Sequence, residues 1–348
     1  MSLRHHGGVR VIVDYANHLA RSGHGVHIFV PKNQFKPLYP IDQKVRVHLL
    51  RNSNEVDLFS RLKTLYDLSK AMRNTDLDVI VANFFPTVYP SWTVNTGTRV
   101  VYFIQDTPHL FNSFSPVGVA MRLTYRFNFP RITTSSFIKQ GAGVEATVIS
   151  PGVSANFYPE QDPVLLAEKQ HPAVLYFPRK QAYKGMDYFI EAVKHLVESG
   201  MRFELWLITK ETEALNPFED MEIPCLIMDG DTDQKLRRLY SSADVYVSSS
   251  ITEGYNLPPL EAMACGTPVV MTDSGGSSDY ARPDENAIVV RPRDSRALAR
   301  AIKRVLEDKE LRTRLRQEGL KTAAMFSSEN AARRFEEFLL EVVGQQVP

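Results

Sequence analysis

Cysteine is nearly missing from this chain of 348 residues: only Cys225 and Cys265 occur. Two thiols cannot build a disulfide framework or a Cys-rich zinc site, so both are expected as packed core residues. No apolar run approaches the roughly 20 residues that cross a bilayer. The segment from Met1 to Arg10 has no apolar stretch after it, so it does not read as a secretory signal, and a cytoplasmic protein is expected. An excess of one charge is lacking as well, with 41 Lys and Arg against 40 Asp and Glu. No nucleic-acid partner is expected from that balance. The balance is not local, however: residues 1–150 hold 17 basic against 9 acidic side chains, and residues 151–348 hold 24 against 31. A basic first half favours an acidic acceptor or a peripheral association with an anionic membrane face. Scattered solvated charge is the competing explanation.

What is present is the pattern of a soluble α/β protein, 43% hydrophobic and 23% charged, long enough for two domains. Strand-like runs at Val26–Val30, Val79–Ala82, Val100–Ile104 and Ala146–Ile149 form a first series. A second runs through Val174–Phe177, Leu205–Ile208, Cys225–Met228, Val245–Val247, Val269–Met271 and Ala287–Val290. Helical periodicity lies between them, at Val11–Ser22, Met186–Ser199, Asp233–Ser242, Leu260–Cys265 and Ser295–Glu307. The polar, proline-dotted stretch Gly152–Pro172 reads as a linker. Alternation of this kind predicts two Rossmann-like domains facing across a cleft, with ligands at the carboxyl ends of parallel strands. One strand is missing from the pattern. A doubly wound domain opens with a buried strand before its first glycine turn, yet Gly7 and Gly8 come almost at once, so the chain is expected to begin downstream of its true start.

The chemistry concentrates in Thr252-Glu253-Gly254-Tyr255-Asn256-Leu257-Pro258-Pro259-Leu260-Glu261. Glu253 lies on a loop and Glu261, after seven intervening residues, inside a helix that the paired prolines begin. Such a helix start aims unpaired N–H groups at an anion. A second cluster, Arg179 and Lys184 in Phe177-Pro178-Arg179-Lys180-Gln181-Ala182-Tyr183-Lys184-Gly185, follows the first strand of the second series. Guanidinium and ammonium groups there can stabilise the negative charge that grows on a departing diphosphate.

The first stretch resembles the E-x7-E signature of the GT-B retaining glycosyltransferases, specifically glycosyltransferase family 4, and the second resembles that family's R-x4-K pair. The resemblance implies that Glu253 engages donor-sugar hydroxyls, Glu261 the nucleotide ribose, and Arg179 and Lys184 the diphosphate. The backbone of Gly254, Tyr255, Asn256 and Leu257 would face sugar and diphosphate. Glu253, Arg179 and Lys184 are thereby the candidate catalytic residues. Gly7 and Gly8 resemble the opening of the family, where glycines let the loop approach donor and acceptor. It also implies an acceptor-side domain over 1–158, a nucleotide-sugar domain over 159–326, and a helix over 327–348 that crosses back to the first. The periodic stretch Glu329–Val343 fits that helix.

Departures are informative. Pro178 stands where relatives usually have glycine, and Asp279 where they have glutamate. Gln105-Asp106 replaces His-Asp; Gln105 can hydrogen-bond a sugar but cannot serve as acid or base, and His109 is a nearby substitute. Asp229-Gly230-Asp231-Thr232-Asp233 spells a metal-binding D-x-D, but a turn in which Asp231 or Thr232 caps the next helix accounts for it. The expected activity is metal-independent transfer, with no cofactor, of a sugar from a nucleotide-sugar onto a hydroxyl of a glycan, lipid or small molecule. A non-catalytic nucleotide- or sugar-binding protein and a nucleotide-sugar epimerase are the alternatives.

Overall fold

The protein was analysed as a computed structural model, which describes residues 7–35, 39–51, 58–94, 97–105, 115–219 and 221–344. The chain divides into two compact units, residues 1–151 with 328–348, and residues 152–327. Every strand pair among the described residues is parallel, which requires crossover connections, most of them carrying an α-helix.

Unit 1 runs α1 (Gly7–Arg21), β1 (His27–Pro31), β2 (Arg46–Leu50), α2 (Leu58–Arg73), β3 (Val79–Ala82), α3 (Phe85–Trp92), β4 (Arg99–Ile104), α4 (Pro116–Thr124), β5 (Arg131–Thr133), α5 (Ser136–Ala142) and β6 (Thr147–Val148). Its strands form two sheets, β1-β2 and β3-β4-β5-β6. Among the described residues no strand bridges β1 to β3. Gly7 and Gly8 lie inside the first turn of α1 rather than before it. Val9 and Val13 pack on Val30, while the Tyr15 ring stacks on Phe335 at 4.5 Å between centroids. Phe335 belongs to the last helix, α13 (Ser328–Gly344).

Unit 2 comprises α6 (Pro163–Glu168), β7 (Ala173–Tyr176), α7 (Met186–Glu198), β8 (Glu204–Ile208), α8 (Asn216–Glu219), β9 (Cys225–Met228), α9 (Asp233–Ser242), β10 (Val245–Ser248), α10 (Leu257–Ala264), β11 (Val269–Thr272), β12 (Ile288–Val290), α11 (Ser295–Glu307) and α12 (Lys309–Met325). One six-stranded sheet, β12-β11-β10-β7-β8-β9, spans the unit. Its central strands β7, β8, β10 and β11 are buried at every position, as expected when helices cover both faces. On one face Leu298, Ile302 and Val305 of α11 pack against Val245, Val247 and Val270. The Asp294 carboxylate caps that helix by accepting from the Ala297 amide at 2.8 Å, worth about 1 kcal/mol.

Two expectations are corrected. Cys225 is exposed and only Cys265 is buried: β9 is an edge strand whose residues alternate between exposed and half-buried. Residues 152–172 are no free linker, because the Glu160 and Asp162 amides donate to Ser241 and Ser242 of α9 and Phe157 joins the core beside Tyr240. Pro163 of this stretch starts α6.

Candidate active site

Three loops leave the carboxyl ends of neighbouring strands β7, β10 and β11, and backbone bonds join them. The Ile251 amide donates to the Tyr183 carbonyl at 2.7 Å, the Glu253 amide to the Ser274 carbonyl at 2.9 Å, and the Gly276 amide to the Glu253 carbonyl at 3.1 Å. Gly185, at φ +65°, sits so close that a Cβ there would lie 2.1 Å from the Ser249 carbonyl oxygen. Only glycine meets both conditions. At Gly276 a Cβ would fall 2.2 Å from the Gly254 carbonyl oxygen.

This frame brings Lys184 onto Glu253. The ammonium lies 2.6 Å from Glu253 Oε1, and the Ser250 hydroxyl donates to the same oxygen at 2.7 Å. Both charged side chains are largely shielded from solvent, with 29% and 13% exposure, and the carboxylate is oriented by two donors. Arg179 is placed by a different strand end: its Nη1 approaches Thr209 Oγ1, just past β8, at 3.4 Å. Glu261 is buried on α10, and its Oε2 accepts from the Tyr240 hydroxyl at 3.2 Å. Burial, reinforced by the Glu261 charge, pushes the Tyr240 hydroxyl far above its ordinary value, so it remains a donor. Burial first, then the charges of Glu261, Tyr176 and Glu253, push the Tyr246 hydroxyl of β10 far above its ordinary value, while Arg179 acts oppositely.

Asn256 is the residue before α10 and takes a left-handed conformation, φ 68° and ψ 69°. Leu257 opens the helix, three residues earlier than the apolar periodicity alone predicts, because the two prolines carry no helical signal of that kind yet fit a first turn. Asp229 and Asp231 are both engaged by Lys235, at 2.8 and 3.1 Å. The Thr232 hydroxyl caps α9 from the Lys235 amide, the turn geometry that the D-x-D spelling left open. No cluster of three or more His, Cys, Asp or Glu suited to a metal occurs among the described residues.

In unit 1 the structure brings Gly8 and Gln105 together. Gln105 follows β4, and its Oε1 lies 2.8 Å from where a Gly8 Cβ would be, so the amide side chain rests on the first turn of α1. Asp106 and His109 lie outside the described residues. The hydroxyl partners Ser250, Tyr240 and Thr209 escaped sequence reasoning, since serine, tyrosine and threonine carry no spacing signature of their own.

The sequence pattern of Glycosyl transferases group 1 matches residues 157–322 and that of Glycosyltransferase Family 4 matches residues 5–140. The chain belongs to glycosyltransferase family 4. Within that family it is 34% identical over 162 residues to the lipopolysaccharide core biosynthesis glycosyltransferase LpsE of Rhizobium meliloti, covering 45% of this chain and 46% of that protein. The chain spans less than half the length of the curated relatives it matches. Among solved structures, sucrose-phosphate synthase from Thermosynechococcus elongatus superposes with a TM-score of 0.83 at 20% identity, over 97% of this chain and 94% of that one. Anabaena HepE in complex with UDP-glucose gives 0.78 at 17% identity, over 98% of each chain. These likenesses establish the GT-B fold.

Proposed function

We propose that the protein transfers a sugar from a nucleoside-diphosphate sugar to an acceptor hydroxyl, with retention at the anomeric carbon. The Lys184–Glu253 pair, clamped where three loops meet at the carboxyl edge of the unit 2 sheet, carries this reading. Such an edge is where open parallel sheets bind nucleotides, and HepE, of the same fold, was solved with UDP-glucose.

Arg179 and Lys184 hold the diphosphate and take up the charge that develops as the glycosidic C–O bond breaks. With two cations and the start of α10 supplying positive charge, transfer proceeds without a metal. Glu253 binds hydroxyls of the donor sugar and Glu261 the ribose, while amides of 254–257 meet sugar and diphosphate. Gly7 and Gly8 serve the donor, and Gln105 the sugar and acceptor side. The acceptor oxygen attacks the face that the diphosphate leaves, and its proton passes to the departing phosphate oxygen. Unit 2 is the nucleotide-sugar side in this scheme.

Thermal stabilisation by UDP, GDP, ADP and dTDP tests it, because a ligand bound only by the folded state raises apparent stability. One nucleotide should shift the wild type and fail to shift Lys184→Ala and Glu261→Ala. Binding without any turnover of a nucleotide-sugar would instead favour the non-catalytic alternative that Gln105 leaves open.

A peripheral, cytoplasmic membrane location is part of the same proposal. Between Asp78 and Glu145 the sequence has one acidic residue, Asp106, and in that span Trp92, Val119 and Leu123 are exposed near the exposed Arg122 and Arg126. Aromatic, aliphatic and arginine side chains together suit an anionic interface. Co-sedimentation with phosphatidylglycerol vesicles but not with phosphatidylcholine vesicles is the expected result.

A further inference from the structure

The N-terminal end of α10 is poor in donors. Of the four N–H positions that an α-helix leaves unbonded at its start, two are here occupied by Pro258 and Pro259, which have none. An anion at this end can therefore meet only the Asn256 and Leu257 amides of the helix itself. Their direction is set by one backbone conformation, the left-handed Asn256, which an L-residue other than glycine adopts at a cost.

Two side-chain bonds oppose that cost. Asn256 Nδ2 donates to Ser248 Oγ at 3.1 Å, tying the residue to the end of β10. The Tyr280 hydroxyl donates to the Asn256 carbonyl at 2.6 Å. Tyr280 is 2% exposed and is itself fixed from behind, because Asn286 Nδ2 donates both to the Tyr280 carbonyl and to Thr322 Oγ1 of α12, each at 2.8 Å. A chain of bonds thus runs from α12 through Asn286 and Tyr280 to the residue that aims the amides.

We propose that Tyr280 is a positioning residue for the donor diphosphate: by holding the Asn256 carbonyl it keeps Asn256 left-handed and aims the Asn256 and Leu257 amides at the phosphates. The inference rests on the assignment of this loop to the diphosphate in the proposed function. Tyr280 touches no substrate in this scheme, and its loss acts through Asn256 alone. Glycine at position 256 takes the left-handed conformation without an anchor, so it should remove the dependence on Tyr280, whereas alanine there should not.

The test is calorimetric titration of the full chain with UDP and GDP, alongside melting curves without nucleotide. Tyr280→Phe keeps the ring and should weaken binding of the preferred nucleotide roughly five- to tenfold, the equivalent of one lost hydrogen bond. UMP, one phosphate shorter, should lose less. In the Asn256→Gly background, adding Tyr280→Phe should change affinity less than about twofold, since glycine needs no anchor there. Asn256→Ala, tested with Tyr280 intact, should bind more weakly than Asn256→Gly, which keeps the inference testable should Tyr280→Phe fail to fold. If the wild type binds a nucleotide and Lys184→Ala loses it, yet Tyr280→Phe binds like wild type, the positioning role is overturned and the donor site stands. Weakened binding that glycine does not rescue also overturns it. If the wild type binds none of the nucleotides, the functional assignment fails and the inference falls with it.

Discussion

The two units hold parallel strands by opposite means. Unit 2 has one unbroken sheet whose loops interlock through backbone bonds and glycines with no room for a methyl group. Unit 1 has its strands in two separate sheets, and α1 and α13 supply much of what fastens it: Tyr15 between Phe103 and Phe335, and the Glu336 carboxylate accepting from His18 and His24 at 2.8 Å each. A continuous sheet fixes the strand ends from which its loops leave. A unit fastened by side chains has more ways to give. The chemistry proposed to need the tighter placement falls in the tighter unit, as preorganised electrostatics requires.

The largest test of this contrast is chemical. Lys184→Ala and Glu253→Gln in unit 2 should each lower turnover of the nucleotide-sugar by about 10²- to 10³-fold, measured as release of nucleoside diphosphate. Gln105→Ala in unit 1 should cost only about tenfold, a loss comparable to one neutral hydrogen bond. Equal losses would break the comparison. A second test is mechanical. Gly185→Ala forces a Cβ against a carbonyl oxygen at positive φ and should destabilise the protein by roughly 2–4 kcal/mol in denaturant melts. Gly8→Ala meets only the end of the flexible Gln105 side chain and should cost less than about 1 kcal/mol.

The thiols give a third. Burial pushes Cys265 up to about 12, so a thiol reagent at pH 8 should titrate one group, Cys225, in the native protein and two in denaturant. Rapid labelling of both would mean that the unit 2 core opens readily. The smallest effect belongs to α13. Partial burial alone would raise the Glu336 carboxyl, but hydrogen bonds from His24 and His18 outweigh it and hold it below its ordinary value. The stabilisation is present above the ordinary carboxylate pKa and is lost as pH falls through the lower folded value. Melting curves between pH 6 and 3 should show Glu336→Gln lacking that acid-side loss, worth about 1 kcal/mol or less.

The same contrast governed what the sequence disclosed. In unit 2 every strand was legible, because buried parallel strands are short unbroken apolar runs. In unit 1, β2 was missed since Arg46 and Leu49 are exposed and its apolar content is diluted. The three residues of β5 are too few for any period to register. Helix α12 escaped because Leu311 and Leu315 are its only large buried residues, Gly319, Thr322 and Ala323 completing that face. At the site, the charged residues announced themselves through spacing. The hydroxyls that hold them did not: Tyr240 lies 21 residues from Glu261, and Tyr280 lies 24 from Asn256, separations that only the folded sheet makes short.

The path of the chain carries a consequence for its synthesis. It leaves unit 1 after Pro151 and returns at Ser328, and the two ends of unit 2 are zipped together by the bond from the Val153 amide to the Phe326 carbonyl at 2.7 Å. A ribosome moving at about 5–20 residues per second spends roughly ten to thirty-five seconds on unit 2. Throughout that interval the nascent first unit waits without α13, and the faces of Tyr15 and Phe103 that this helix covers stand open to chaperones.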